Sequence, residues 1–188
     1  MEQNGPIERL EMMEGSSAFN LSNVILRREN PEERVAVRSL NEAAFGRPDE
    51  ADLVDRLRTE GAVLVSFVAE WERRIVGHIL FSRMLIETEG GPISAVALAP
   101  MAVAPEHQRR GVGGQLIRHG LDWLRGRGEQ VVIVLGHQNY YPRFGFSSDR
   151  ARSLASPFPA KAFMALELLP GALDGIRGRV RYPHAFGV

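Results

Sequence analysis

The chain has 188 residues, 44% hydrophobic and 24% charged, and its 23 basic and 23 acidic residues cancel. That length supports one well-cored domain, and the zero balance gives no broad electrostatic case for nucleic acid or an anionic membrane surface as partner. There is no cysteine, which excludes disulfides, thiolate zinc sites and a cysteine nucleophile; no apolar run approaches the roughly 20 residues that span a bilayer, so a cytoplasmic protein is expected.

Residues 1–22 mix Met, Glu, Gly, Ser and Asn without a clear period and read as a flexible leader, which sets the folded domain at 23–188. Asn23 to Arg27 reads as a first strand. Asn30-Pro31-Glu32-Glu33 is a helix start, with Asn as cap, Pro at the first position and Glu three after the cap. Val37, Leu40 and Ala44 then share one helical face. Phe45-Gly46-Arg47-Pro48 breaks that helix, Asp49 caps a second, and Gly61 stops it. Three strand-like runs follow, Ala62 to Trp71, Arg74 to Ile86 and Ile93 to Val103, with short polar or Gly/Pro links that suggest antiparallel hairpins.

The stretch Val103-Ala104-Pro105-Glu106-His107-Gln108-Arg109-Arg110-Gly111-Val112-Gly113-Gly114 carries the third run through a Gly-rich, basic turn. It leads into an amphipathic helix ending near Gly126, with Val112, Leu116, Ile117, Leu121 and Leu124 as its apolar stripe. The first N–H groups of a helix have no intrahelical partner and so form a ready anion site. Glycines there leave room for a ligand, and Arg109 and Arg110 add positive charge. His107 is expected to cap or solvate the turn. Gln130 to Leu135 is an almost wholly apolar strand suited to burial on both faces. Because a helix joins it to the strand ending at Val103, the two should run parallel. Tyr140 to Phe146 reads as a short aromatic turn, and Ala162 to Leu168 and Gly178 to Tyr182 as further strands. The order predicts a single-domain mixed α/β sheet, mostly antiparallel, flanked by helices.

Two phosphate motifs fail at the turn. A P-loop needs Lys-Ser or Lys-Thr where Gly114 is followed by Gln115. A dinucleotide fingerprint lacks its third glycine and the acidic residue at the end of the next strand, where Leu135-Gly136 stands. A third pattern fits. Gln108-Arg109-Arg110-Gly111-Val112-Gly113 matches the Gln/Arg-x-x-Gly-x-Gly/Ala signature of the GCN5-related N-acetyltransferase (GNAT) superfamily. Tyr141-Pro142-Arg143-Phe144-Gly145-Phe146 resembles that superfamily's Tyr-x-x-x-Gly-Phe closing motif. The resemblance covers roughly Ile25 to Phe186 and is strongest from Val96 to Phe146. It is nearest the YhbS-like branch, which shares the Tyr-Tyr-x-Arg-Phe-Gly-Phe wording and a carboxy-terminal strand extension.

The resemblance implies a GNAT fold with splayed fourth and fifth strands, and Pro100 gives this independent weight. A proline inside Ile93 to Val103 removes a ladder donor and marks an edge, a bulge or a parting of strands. It further implies an acyl-coenzyme A-dependent N-acetyltransferase. Acetyl-coenzyme A would be the cosubstrate, and transfer to a small-molecule or peptide amine would be direct, with no covalent enzyme intermediate. The cofactor residues implied are Met101, Ala102 and Val103 along the pantetheine arm, and Gln108, Arg109, Arg110, Gly111, Val112, Gly113 and Gly114 around the pyrophosphate. A backbone N–H near Met101 would serve the oxyanion. Tyr141, four before Gly145, occupies the family's usual acid position, with Tyr140 as the competing assignment. The region between Leu135 and this tyrosine is shorter than usual, so no pantetheine contact is carried over to Asn139.

Glu70, His78 or a water chain would supply the base. The acceptor would enter over residues 43–50 and the carboxy-terminal strands, with Phe45, Arg47 and Phe158 as lining. The histidines show no metal spacing and the reaction requires no metal. A homodimer is left open. The alternative of another class is a non-catalytic module that binds acyl-coenzyme A, and the acceptor itself is unnamed by the sequence.

Overall fold

The computed structural model describes residues 18–188, so most of the expected leader lies outside the described residues. Its last part does not end at a boundary: Phe19 packs edge-on to Trp71 with ring centroids 5.3 Å apart, and Leu21 joins the main core. β1 (Ile25–Arg28) follows, then a single 3-10 turn, Pro31–Glu33, leading into α1 (Arg34–Phe45). The Glu33 carboxylate accepts a hydrogen bond from the Asn30 N–H at 2.8 Å, as the spacing predicts. α1 ends at Gly46, which takes the left-handed φ of 69° that closes a helix without a Cβ penalty.

α2 (Asp49–Glu60) starts one residue earlier than the sequence suggests. Pro48 is its cap, and Asp49 is the first helical residue rather than the cap. Three carboxylates, Asp49, Glu50 and Asp52, then lie in the first turn, where the exposed N–H groups favour negative charge.

β2 (Val63–Trp71), β3 (Arg74–Thr88) and β4 (Gly91–Val103) form an antiparallel meander. The β2–β3 turn is held by Glu72 and Arg73, both at positive φ, the two-residue hairpin geometry that matches strand twist. A 3-10 turn (Pro105–His107) leads to α3 (Val112–Gly126), β5 (Val131–Leu135), a second short turn (Tyr141–Phe144), β6 (Leu154–Ala155), β7 (Phe163–Glu167) and β8 (Gly178–Arg181). The sheet runs β1-β2-β3-β4-β5-β7. β8 pairs with β3 at Leu85–Glu87, beyond the end of β2, and β6 pairs with β8. β6 has two residues, too short to be visible as a periodic signal.

Two faces of the sheet are covered differently. Phe67, Ile79, Phe81, Leu98 and Val134 meet Leu116, Ile117 and Leu124 of α3. The approach is close: a β-carbon at Gly77 would come 2.9 Å from Leu116, and one at Gly120 would come 2.3 Å from the Phe81 ring. Leu80 meets Val54 and Leu57 of α2, and Leu40 of α1 meets Ala102 and Ala104. Met84, Ala97, Ile133 and Phe163 lie under the carboxy-terminal segments with Leu154 and Val180.

Candidate active site

The parallel β4–β5 pairing covers three residues only: Val96 with Val132, Ala97 with Ile133 and Leu98 with Val134. Past Leu98, β4 continues through Pro100 to Val103 on β3 alone, with an irregularity opposite Leu80, while β5 ends at Leu135. The strands therefore part where Pro100 is expected to part them, and one edge of β4 from Pro100 to Val103 faces an opening. The Met101 side chain lies toward α3. Ala102 is buried against α1, so its main chain is what it offers the gap. The Gln108 amide nitrogen donates to the Val103 carbonyl at 3.1 Å, which ties the turn back to the strand and occupies that oxygen.

At the wide end of the opening stands the N-terminus of α3. Gly111 is its cap residue at φ 93°, and no side chain caps the helix. Arg109 just before it sits at φ 59°, an uncommon conformation for a residue with a side chain. The three glycines have different surroundings. A β-carbon at Gly111 would come 2.7 Å from Leu21, so its bareness serves packing. One at Gly113 would come 2.9 Å from the Tyr140 hydroxyl and 3.3 Å from Met101, and one at Gly114 would lie 3.4 Å from Arg118. Val112 is 1% exposed and contributes its side chain to the core.

Around this end stand four arginines with no ion pair among the described residues. Arg110 lies over the Phe19 ring at 5.4 Å, Arg118 over Phe144 at 5.4 Å, and Arg143 over Tyr140 at 4.4 Å. Arg109 is exposed. Arg118 and Arg143 are additions to the sequence reading. Arg118 is four residues after Gly114, one helical turn along the same face, and that spacing is the signal that finds it. His107 corrects an expectation: it is 8% exposed and packs against Trp71 and Phe19 instead of capping the turn.

The two tyrosines occupy different ends of the opening. Tyr140 reaches the α3 N-terminus, and Arg143 donates to its carbonyl at 3.2 Å. Tyr141 is 8% exposed and lies at the narrow end, against Gly136 just past β5. A β-carbon at Gly136 would overlap the Tyr141 ring at 2.0 Å, so only glycine lets the ring seat there. Phe146 holds the ring edge-on at 5.7 Å. Burial pushes the Tyr141 phenol up to about 12, with its neighbour Tyr140 adding to the shift, so it stays protonated at neutral pH.

Both candidate bases are engaged elsewhere. Arg27 donates to Glu70 through Nε at 3.0 Å and Nη2 at 2.6 Å, and also pairs with Glu33. His78 is fully buried on the opposite face of β3 from α3. Its Nδ1 is 3.1 Å from the Asn41 amide nitrogen and its Nε2 is 2.9 Å from Ser66 Oγ. An amide nitrogen only donates, so Nδ1 accepts and Nε2–H donates to Ser66, which in turn donates to Glu29. Burial, with the Arg58 charge beside it, pushes His78 down to about 3. The expected acceptor lining is divided. Phe45 is 38% exposed at the α1–α2 connection, Arg47 pairs with Asp49 and Glu50, and Phe158 stands edge-on to Tyr182. Among the described residues, no group of three or more His, Asp or Glu side chains is placed to hold a metal ion.

Comparison with known proteins gives concordant matches. The family model for the Acetyltransferase (GNAT) domain matches residues 26–148. The Escherichia coli K12 uncharacterised N-acetyltransferase YjhQ is 40% identical over 152 residues, spanning 77% of this chain and 84% of that one. Escherichia coli YhbS, solved in complex with CoA, has a TM-score of 0.81 at 31% identity, covering 88% of this chain and 93% of that one. A GNAT family acetyltransferase from Brucella melitensis, solved with acetyl-CoA, has a TM-score of 0.73 at 36% identity, covering 87% and 97%.

Proposed function

The chain belongs to the GNAT acetyltransferase family, and on that premise we propose that it transfers an acetyl group from acetyl-coenzyme A directly to an amine. The observation that carries this reading is the parting of β4 from β5 after Leu98 and Val134, with its wide end under the uncapped N-terminus of α3. The relatives solved with CoA and acetyl-CoA support the same ligand here.

In this reading the N–H groups of Gly111 to Gly114 hold the pyrophosphate, where the helix dipole and unpartnered donors favour an anion. Arg109, Arg110, Arg118 and Arg143 supply the countercharge. The pantetheine arm runs back along the Met101 to Val103 backbone and brings the thioester carbonyl toward the narrow end. The amine nitrogen attacks that carbonyl carbon, and a β4 backbone N–H near Met101 stabilises the oxyanion. As the new C–N bond forms and the C–S bond breaks, the departing thiolate takes the Tyr141 phenol proton. Burial keeps the phenol protonated at neutral pH, so the proton is in place when the thiolate departs.

The amine proton leaves through water, because Glu70 is committed to Arg27 and His78 to Asn41 and Ser66, and water returns a proton to the Tyr141 phenolate. Acetyl-coenzyme A at a hundredfold excess over its dissociation constant should stabilise the protein by about 2.7 kcal/mol. Thiol release across a panel of amines should then identify turnover. No stabilisation overturns the cofactor assignment, and stabilisation without thiol release from any amine favours a binding module instead.

A further inference from the structure

On the sheet face opposite α3, a cavity of about 500 Å³ lies between β8, the Ala155–Pro157 segment and the chain end. That volume suits a small organic ligand. Arg179, Arg181 and His184 line it, and among the described residues no Asp or Glu side chain does. Arg181 pairs through Nε with Glu87 at 2.8 Å, which leaves the outer edge of its guanidinium open, and Arg179 has no ion pair among the described residues. The β8 backbone is pressed onto β3, since a β-carbon at Gly178 would come 2.3 Å from the Glu87 carbonyl. The two arginines therefore project from a strand packed closely on β3.

Tyr182 forms the inner wall. Its hydroxyl is buried beside the Ser156 side chain, and burial holds the phenol in its protonated form. Phe158 and Phe186 hold its ring at 5.3 and 4.9 Å. One chain segment touches both this wall and the residues around Tyr141. Phe158 opens the 158–163 segment, and Ala162 at its other end accepts a hydrogen bond from the Gly136 N–H at 2.9 Å, beside the seat of Tyr141.

We infer that this cavity is the acceptor site and selects small amines carrying an anionic carboxylate or phosphate group, which Arg179 and Arg181 grip. The inference rests on the acetyl-transfer reading for its role but not for its binding. Guanidinium groups match carboxylate and phosphate oxygens in pairs. The same charges repel polyamines and other polycationic acceptors.

Isothermal titration of the full chain, with and without coenzyme A, tests this with four probes: phenylalanine, its decarboxylated counterpart phenethylamine, 2-aminoethyl phosphate and spermidine. Phenylalanine is expected to bind at least tenfold tighter than phenethylamine, and spermidine the weakest of the four. The tighter of phenylalanine and 2-aminoethyl phosphate names the anion. Arg179→Gln should weaken the anionic probes at least tenfold while the melting shift given by acetyl-coenzyme A stays. Phenethylamine or spermidine binding as tightly as the anionic probes, no binding by either anionic probe, or an unchanged affinity in Arg179→Gln overturns the inference. Loss of the acetyl-coenzyme A shift in the wild-type protein overturns the proposed function instead, and the probe affinities still read the cavity.

Discussion

Tyr140 and Tyr141 are adjacent in the chain yet face opposite ends of one opening. The first reaches Gly113 at the α3 terminus, and the second seats against Gly136 past β5. A pair of neighbouring tyrosines cannot be told apart by motif spacing alone, because the local turn decides which ring goes where. With Tyr141 proposed as the acid, Tyr141→Phe should lower kcat by roughly 10²–10⁴-fold and leave the KM for acetyl-coenzyme A nearly unchanged. Steady-state kinetics check this, and a change confined to KM would argue for a packing role.

His78 gives a second test at the same scale. Burial and Arg58 depress its pKa from 6.5 to about 3, so the unfolded chain takes up a proton below pH 6.5 that the folded chain refuses. Stability is therefore expected to fall as pH drops from 6.5 toward 3, by up to roughly 1.4 kcal/mol per pH unit from this residue. Urea unfolding between pH 7 and 5 measures it, and His78→Gln should flatten the slope. The sequence shows a histidine among apolar residues; that both its nitrogens are spoken for depends on Asn41 and Ser66, brought from α1 and β2.

α3 shows how far an element is legible from its pattern. Its apolar stripe, its start after Gly111 and its crossover role all follow from the spacing of Val112, Leu116, Ile117, Leu121 and Leu124 and from the glycines that flank them. The reason for individual glycines does not. Gly111 makes room for Leu21, and Gly120 lets the Phe81 ring lie across the helix, contacts with partners far away in sequence. Gly120→Ala should therefore destabilise the protein by about 1–3 kcal/mol, as overpacking does, even though alanine is the better helix former. A thermal melt checks it, and a stabilised variant would show that the Phe81 ring can move aside at no cost. The Asp49 cap went to Pro48 for a comparable reason: the sequence marks a helix start there, but a one-residue difference in where the turn closes is settled by the chain on either side.

Across the whole molecule, the carboxy-terminal segment is the part the sequence describes least. The Glu60 carboxylate at the end of α2 accepts from the His184 and Ala185 N–H groups at 2.9 and 2.8 Å, while Arg56 donates to the Ala185 carbonyl at 3.0 Å. Glu60→Ala should raise amide exchange at His184 and Ala185 by at least about tenfold, since a single local opening would then expose both. Exchange unchanged there would mean that Ala185 and Phe186, packed with Val54 and Leu80, hold the tail alone. What the sequence by itself determined is the order of elements, the parting of strands at Pro100, the basic turn into α3 and the family these motifs belong to. Each of these is a local matter of side-chain period, missing donors and glycine freedom. Only the tertiary structure decided which tyrosine faces which end, that Glu70 and His78 are bound up in other contacts, and that β8 and Tyr182 enclose a basic cavity. Those outcomes depend on residues up to 129 positions apart meeting, as Arg56 and Ala185 do, and no local pattern records such meetings.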